Sequence, residues 1–148
     1  MKCYLDSSAA VKALNDEEHA HAFRRWISAT DAEIVSCELL ETEMRRAALR
    51  TDVDQREVTT FLESVQIYNV SRKRYREAGT LLPVAMRSLD ALHLASAVRI
   101  ADVIVTYDDR LKAAAEAQGF DVFRPGIDPS PDQVADDGDE LGSAQGRP

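Results

Sequence analysis

Near its two ends the chain carries short apolar runs that each finish on an aspartate. Cys3-Tyr4-Leu5 leads into Asp6, and Val103-Ile104-Val105 leads through Thr106-Tyr107 into Asp108. Apolar runs this short, cut off by a polar residue suited to capping a helix, read as strands. Between them helical patterns alternate with further short runs. Helices are expected from Ser7 or Ser8 to about Leu14, from Glu18 to Ser28, and from a Ser36 cap through Arg50. Asp54, with Glu57 three residues on, opens the next. Ser71 caps one that Pro83 bends or ends, Ser88 caps Leu89 to Ile100, and Arg110 to Gln118 stops at Gly119. Ile34-Val35, Gln66 to Val70 and Val122-Phe123 supply the remaining strands. This alternation predicts an α/β domain whose sheet is mostly parallel.

A chain of 148 residues is one domain by size. We expect it to span residues 1–125, followed by a Pro-, Gly-, Asp- and Ser-rich segment, 126–148, that is disordered or loosely attached. That segment holds six of the 26 acids but one of the 18 bases, so only −3 of the net −8 falls on residues 1–125. A body so near neutrality does not exclude a nucleic-acid partner, whatever the total suggests. Asp6 interrupts the first apolar run too early for a signal peptide, and no stretch approaches a membrane span, so a cytoplasmic protein is expected. Cys3 and Cys37 lack zinc-site spacing and read as small buried residues.

In an open parallel sheet, ligands bind outside the carboxyl ends of the strands. Asp6 and Asp108 lie just past two such ends, Asp90 falls in the first turn of a helix, and Glu43 lies inside another. Four carboxylates without a His or Cys pair beside them suit Mg²⁺ or Mn²⁺ better than zinc. Each acid also has a plainer role. Asp90 suits the helix dipole, Asp6 and Asp108 suit N-caps, and Glu43 suits a solvated helix face.

Four segments carry a resemblance. Tyr4-Leu5-Asp6-Ser7-Ser8-Ala9, Glu43-Met44-Arg45-Arg46-Ala47, Ser88-Leu89-Asp90-Ala91-Leu92-His93-Leu94-Ala95 and Val105-Thr106-Tyr107-Asp108-Asp109 match, in order and spacing, the signature blocks of PIN-domain ribonucleases. The sequence most resembles the VapC-type toxins of bacterial toxin–antitoxin pairs, over residues 1 to about 126. The resemblance implies a three-layer α/β/α domain that cuts RNA with Mg²⁺ or Mn²⁺, dimerises, and is inhibited by a small antitoxin. It makes Asp6, Glu43, Asp90 and Asp108 the metal-site acids and Ser8 a polar supporter. Glu41 stands beside Glu43, and Asp109 beside Asp108, as alternative ligands.

Other residues invite more than one reading. His93 sits in an apolar run and reads as core or as support behind a ligand; His19 and His21 read as surface residues. Arg45, Arg46 and the run Arg72-Lys73-Arg74-Tyr75-Arg76 are candidate RNA contacts or solvated helix faces. Trp26, Leu39, Leu40 and Phe61 are the expected apolar dock for an antitoxin helix. Three rivals remain: a housekeeping PIN-type RNA-processing nuclease, a non-catalytic pseudoenzyme and a receiver-like signalling module. The last needs paired acids at the first strand and a Lys beside the last. Here Asp6 is followed by two serines, and Arg124 precedes Pro125.

Overall fold

The computed structural model describes residues 1–131. Five strands form one sheet: β1 (Lys2–Leu5), β2 (Glu33–Cys37), β3 (Gln66–Tyr68), β4 (Val103–Val105) and β5 (Asp121–Phe123), in the order β3-β2-β1-β4-β5. Every pairing is parallel, so the expected sheet is present without an antiparallel edge. Seven helices connect the strands: α1 (Ser7–Ala10), α2 (Ala20–Ala29), α3 (Leu39–Thr51), α4 (Gln55–Glu63), α5 (Arg72–Ala78), α6 (Ser88–Ile100) and α7 (Asp109–Ala117). A 3₁₀ turn, Val11–Ala13, prolongs α1.

The period of two along each strand decides the layering. Cys3, Leu5, Val103 and Val105 point to one face, where they meet Ala9, Phe23, Leu40, Met44 and Val58 from α1 to α4. Tyr4 and Ile104 point to the other and meet Ala78, Leu94 and Leu111 from α5, α6 and α7. Two cores, one per face, make the three-layer arrangement. The apolar faces of the helices are consumed in building it. Leu40 is fully buried, while Trp26 and Phe61 pack on the α1–α4 core and Leu39 on the other. Of the residues expected on the antitoxin dock, Leu40 is spent on the core, while Trp26, Leu39 and Phe61 stay partly buried against it.

Several caps also differ from expectation. Asp6, not Ser7 or Ser8, caps α1 by accepting from Ala9 N. Ser36 does not open α3. It lies in β2, fully buried, and its hydroxyl donates to Leu5 O at 2.6 Å. Ser88 is the first residue of α6, and Arg87 holds the cap position without a side-chain bond. Asp54 and Ser71 cap α4 and α5 as expected. Gly119 ends the loop after α7 with φ +73°. Of residues 126–148, the first few are tied to the domain: Ile127 N and Asp128 N both donate to Arg124 O, and Asp128 accepts from the Arg124 guanidinium. The expected loose tail beyond residue 131 lies outside the described residues.

Candidate metal and RNA site

The strand order reverses direction at β1 and β4. The chain leaves β1 toward β2 and β3 on one side, whereas β4 and β5 lie on the other. Crossovers that diverge from neighbouring strands leave a crevice at their carboxyl ends. Asp6 and Thr106 are the first residues past those two ends, and Asp6 N still donates to Val105 O at 3.3 Å. α6 enters the sheet through β4, so its first turn lies on the same rim.

Asp6 is 4% exposed and held by three donors. Thr106 Oγ1 donates to Oδ2 at 2.6 Å, Ser8 Oγ to Oδ1 at 2.7 Å, and Ala9 N to Oδ1 at 3.0 Å. Burial raises its pKa above the ordinary carboxylate value, partly offset by these donors and by the charge on His93. A buried carboxylate in this condition is relieved by a cation. Thr106 also accepts from Asp108 N at 3.1 Å, and Ser8 Oγ accepts from Tyr107 N at 2.9 Å. These small hydroxyl residues join the ends of β1 and β4.

Glu43 reaches the rim from the second turn of α3. Ser7 Oγ donates to its Oε2 at 2.7 Å, and the buried His93 donates from Nε2 to its Oε1. Burial would raise the Glu43 pKa, but the bond and charge of His93, with the bond from Ser7, hold it below the ordinary value. Burial disfavours a charged His93 as well. Bonds to Cys37 and Glu43 and the Glu43 charge outweigh that and raise its pKa to about 10. Behind the imidazole, Nδ1 lies 2.7 Å from the Tyr4 hydroxyl and 3.8 Å from Cys37 Sγ. His93 is thus both core and a support for Glu43, the combination expected of it.

Asp90 and Asp108 form the outer part of the site. Arg87 spans them, with Nε 3.2 Å from Asp90 Oδ2 and an Nη 3.5 Å from Asp108 Oδ2. Asp108 also caps α7 by accepting from Leu111 N. The two alternative acids are turned away: Glu41 pairs with Arg45, and Asp109, 92% exposed, leans toward Arg124. Among the described residues no three acidic, His or Cys side chains approach closely enough to enclose an ion by themselves. The donor set nevertheless suits Mg²⁺, which keeps several waters and takes one or two protein carboxylates rather than a full cage. A guanidinium already rests between two of the acids, so a positive charge has a place there. Thr106 and Arg87 were not expected from the sequence. Thr106 was legible as the polar residue ending β4; nothing in local sequence ties Arg87 to Asp108.

The PIN domain family model matches residues 3–117. The chain belongs to the PIN-domain family. Among relatives of this PIN domain, ribonuclease VapC46 of Mycobacterium tuberculosis is 38% identical over 126 residues, covering 82% of this chain and 96% of that one. Ribonuclease VapC35 of the same species is 33% identical over 130 residues, covering 83% and 96%. The fold agrees with the crystal structure of M. tuberculosis VapC20, described as a Sarcin-Ricin loop cleaving toxin. The TM-score is 0.63 at 15% identity, over 80% of this chain and 95% of that one.

Proposed function

We propose that this PIN domain is a metal-dependent ribonuclease that hydrolyses RNA phosphodiester bonds as the toxin of a toxin–antitoxin pair. The observation that carries the reading is the crevice between β1 and β4, where Asp6, Glu43, Asp90 and Asp108 share one rim. The names of its relatives point to the same activity. Those four acids would hold Mg²⁺ or Mn²⁺, which when bound neutralises the scissile phosphate and acidifies a water. The protein's own part is orientation. Thr106 and Ser8 fix Asp6, Ser7 and His93 fix Glu43, and the hydroxyls between β1 and β4 keep Asp6 and Asp108 in register.

An antitoxin is the natural inhibitor for such a site, because a basic side chain from outside can take the place where the Arg87 guanidinium rests. Supporting a homodimer is the apolar groove of about 880 Å³ between the Leu81–Met86 loop and α7, flanked by the exposed Leu82 and Val84. A cytoplasmic location follows from this reading; no described helix is long and apolar enough to cross a membrane. The purified protein is expected to cleave RNA with Mg²⁺ or Mn²⁺ and to stop in EDTA. Equal cleavage in EDTA would overturn the metal mechanism. In cells, expression should arrest growth and co-expression of a cognate antitoxin should restore it. Robust cleavage in vitro without growth arrest favours a housekeeping nuclease instead.

A further inference from the structure

One face of α3 continues beyond the carboxylate site. Glu43, Arg46, Ala47 and Arg50 recur at the spacing of one helix face. Ala47 is buried against the core, which leaves Arg46 and Arg50 on the exposed edge of that face, one turn apart. Both line the cleft of about 490 Å³ that contains Ser8, Glu43, Arg87 and Asp108.

Arg45 is held by Glu41, Gln55 and Thr59, Arg24 by Asp16 and the Asn15 carbonyl, and Arg124 by Asp128. The side chains of Arg46 and Arg50 make no hydrogen bond or ion pair among the described residues. Arg25, Arg72, Arg76 and Arg110 are also unpaired among the described residues, so the informative point is that Arg46 and Arg50 combine free guanidinium groups with a place on this cleft. In a chain with 26 acids and 18 bases, two adjacent arginines beside four carboxylates could readily have been paired. An unpaired guanidinium is free to take the two-pronged contact with phosphate that it makes better than lysine does. Residues at i and i+4 have Cβ atoms about 6 Å apart, which matches neighbouring phosphates on one strand.

We propose that Arg46 and Arg50 are the phosphate-binding residues that lead a single RNA strand into the carboxylate cleft, with the exposed Leu89 lining the opposite side. The proposal rests on the ribonuclease reading. It also divides Arg45 from Arg46: the former braces α3 against α4, and the latter contacts substrate. Backbone contacts of this kind position the strand and add affinity without reading its sequence.

The test uses full-length protein carrying Asp6→Asn, so that RNA survives, and a labelled single-stranded oligoribonucleotide with Mg²⁺ present. Adding Arg46→Ala and Arg50→Ala should weaken binding about tenfold at moderate salt. It should also flatten the log–log salt dependence by about 1.4, since each single-strand phosphate contact contributes about 0.7. Arg46→Lys with Arg50→Lys should restore the slope. In the cleaving protein the double alanine variant should raise KM far more than it lowers kcat, a pattern that general destabilisation does not produce. The charge-matched control is Arg72→Ala with Arg76→Ala on α5, which should leave the slope unchanged. Loss of slope in the α5 pair but not in the α3 pair would overturn the assignment. So would wild-type affinity in the α3 pair while the unmodified protein cleaves RNA. If the unmodified protein neither binds nor cleaves RNA with any divalent ion, the ribonuclease reading fails and this one with it.

Discussion

The inner and outer parts of the site are built on different principles. Asp6 and Glu43 are fastened by short bonds from the buried Thr106 and His93 and from the half-buried Ser7 and Ser8 of α1. Asp90 and Asp108 are spanned by one side chain that is itself 68% exposed. Solvent-exposed pairs of that kind contribute little to stability and are easily exchanged. The inner acids are therefore set when the protein folds, whereas the outer acids hold a positive charge that another cation can replace.

The largest effect should come from the inner part. Asp6→Asn is expected to lower RNA cleavage at least about 100-fold, since it removes a charge worth several kcal/mol to a bound cation. In EDTA the same variant should melt no lower than wild type, because burial already disfavours the Asp6 charge. A wild-type cleavage rate would reduce Asp6 to a helix cap. Next is Thr106→Val, which leaves an Asp6 oxygen and Asp108 N without their partner. It should cost about 1–3 kcal/mol in urea unfolding, and Thr106→Ser should recover most of it.

These two residues also mark how far the sequence could be read. Asp6 and Asp108 are legible because strand ends in a parallel sheet are where ligands gather, and the apolar runs before them are unambiguous. The parallel sheet is legible from the same alternation of short runs and helices, and the three layers from the resemblance. Glu43 needed the resemblance, because a glutamate within a helix carries no local sign that it will reach the strand ends. Its tie to His93 spans 50 residues and exists only after α3 and α6 have packed on the sheet. Ser36 misleads since a serine before a helical pattern resembles a cap, yet β2 continues through it and its hydroxyl turns to Leu5 O. The apolar faces of α2, α3 and α4 read as a dock for a partner; packing takes Leu40 fully into the core and leaves Trp26, Leu39 and Phe61 partly buried.

A smaller effect concerns pH. His93 rises from about 6.5 unfolded to about 10 folded, so its contribution is complete below the unfolded value and is lost as pH climbs through the folded one. In EDTA the melting temperature should fall by a few degrees between pH 7 and about 10. His93→Gln keeps a donor for Glu43 without the charge, and should remove most of that slope. A slope of equal size in the variant would mean another group is responsible. The smallest effect belongs to the outer part. Arg87→Ala should tighten Mn²⁺ binding two- to fivefold in calorimetry, roughly 0.4–1 kcal/mol, by removing a competing charge. Weaker Mn²⁺ binding would show that Arg87 helps to hold the outer acids in place.

The pairing of β1 with β4 has a consequence for synthesis. Asp6 and Thr106 meet across 100 residues, and Ser8 and Tyr107 across 99. A nascent chain emerges from its amino-terminal end, and contacts this distant in sequence form late. Until β4 has left the ribosome and slotted in beside β1, Asp6 has no hydroxyl from Thr106 and no neighbour in Asp108. A chain made only as far as α6 therefore lacks half of the rim on which the proposed cation site depends.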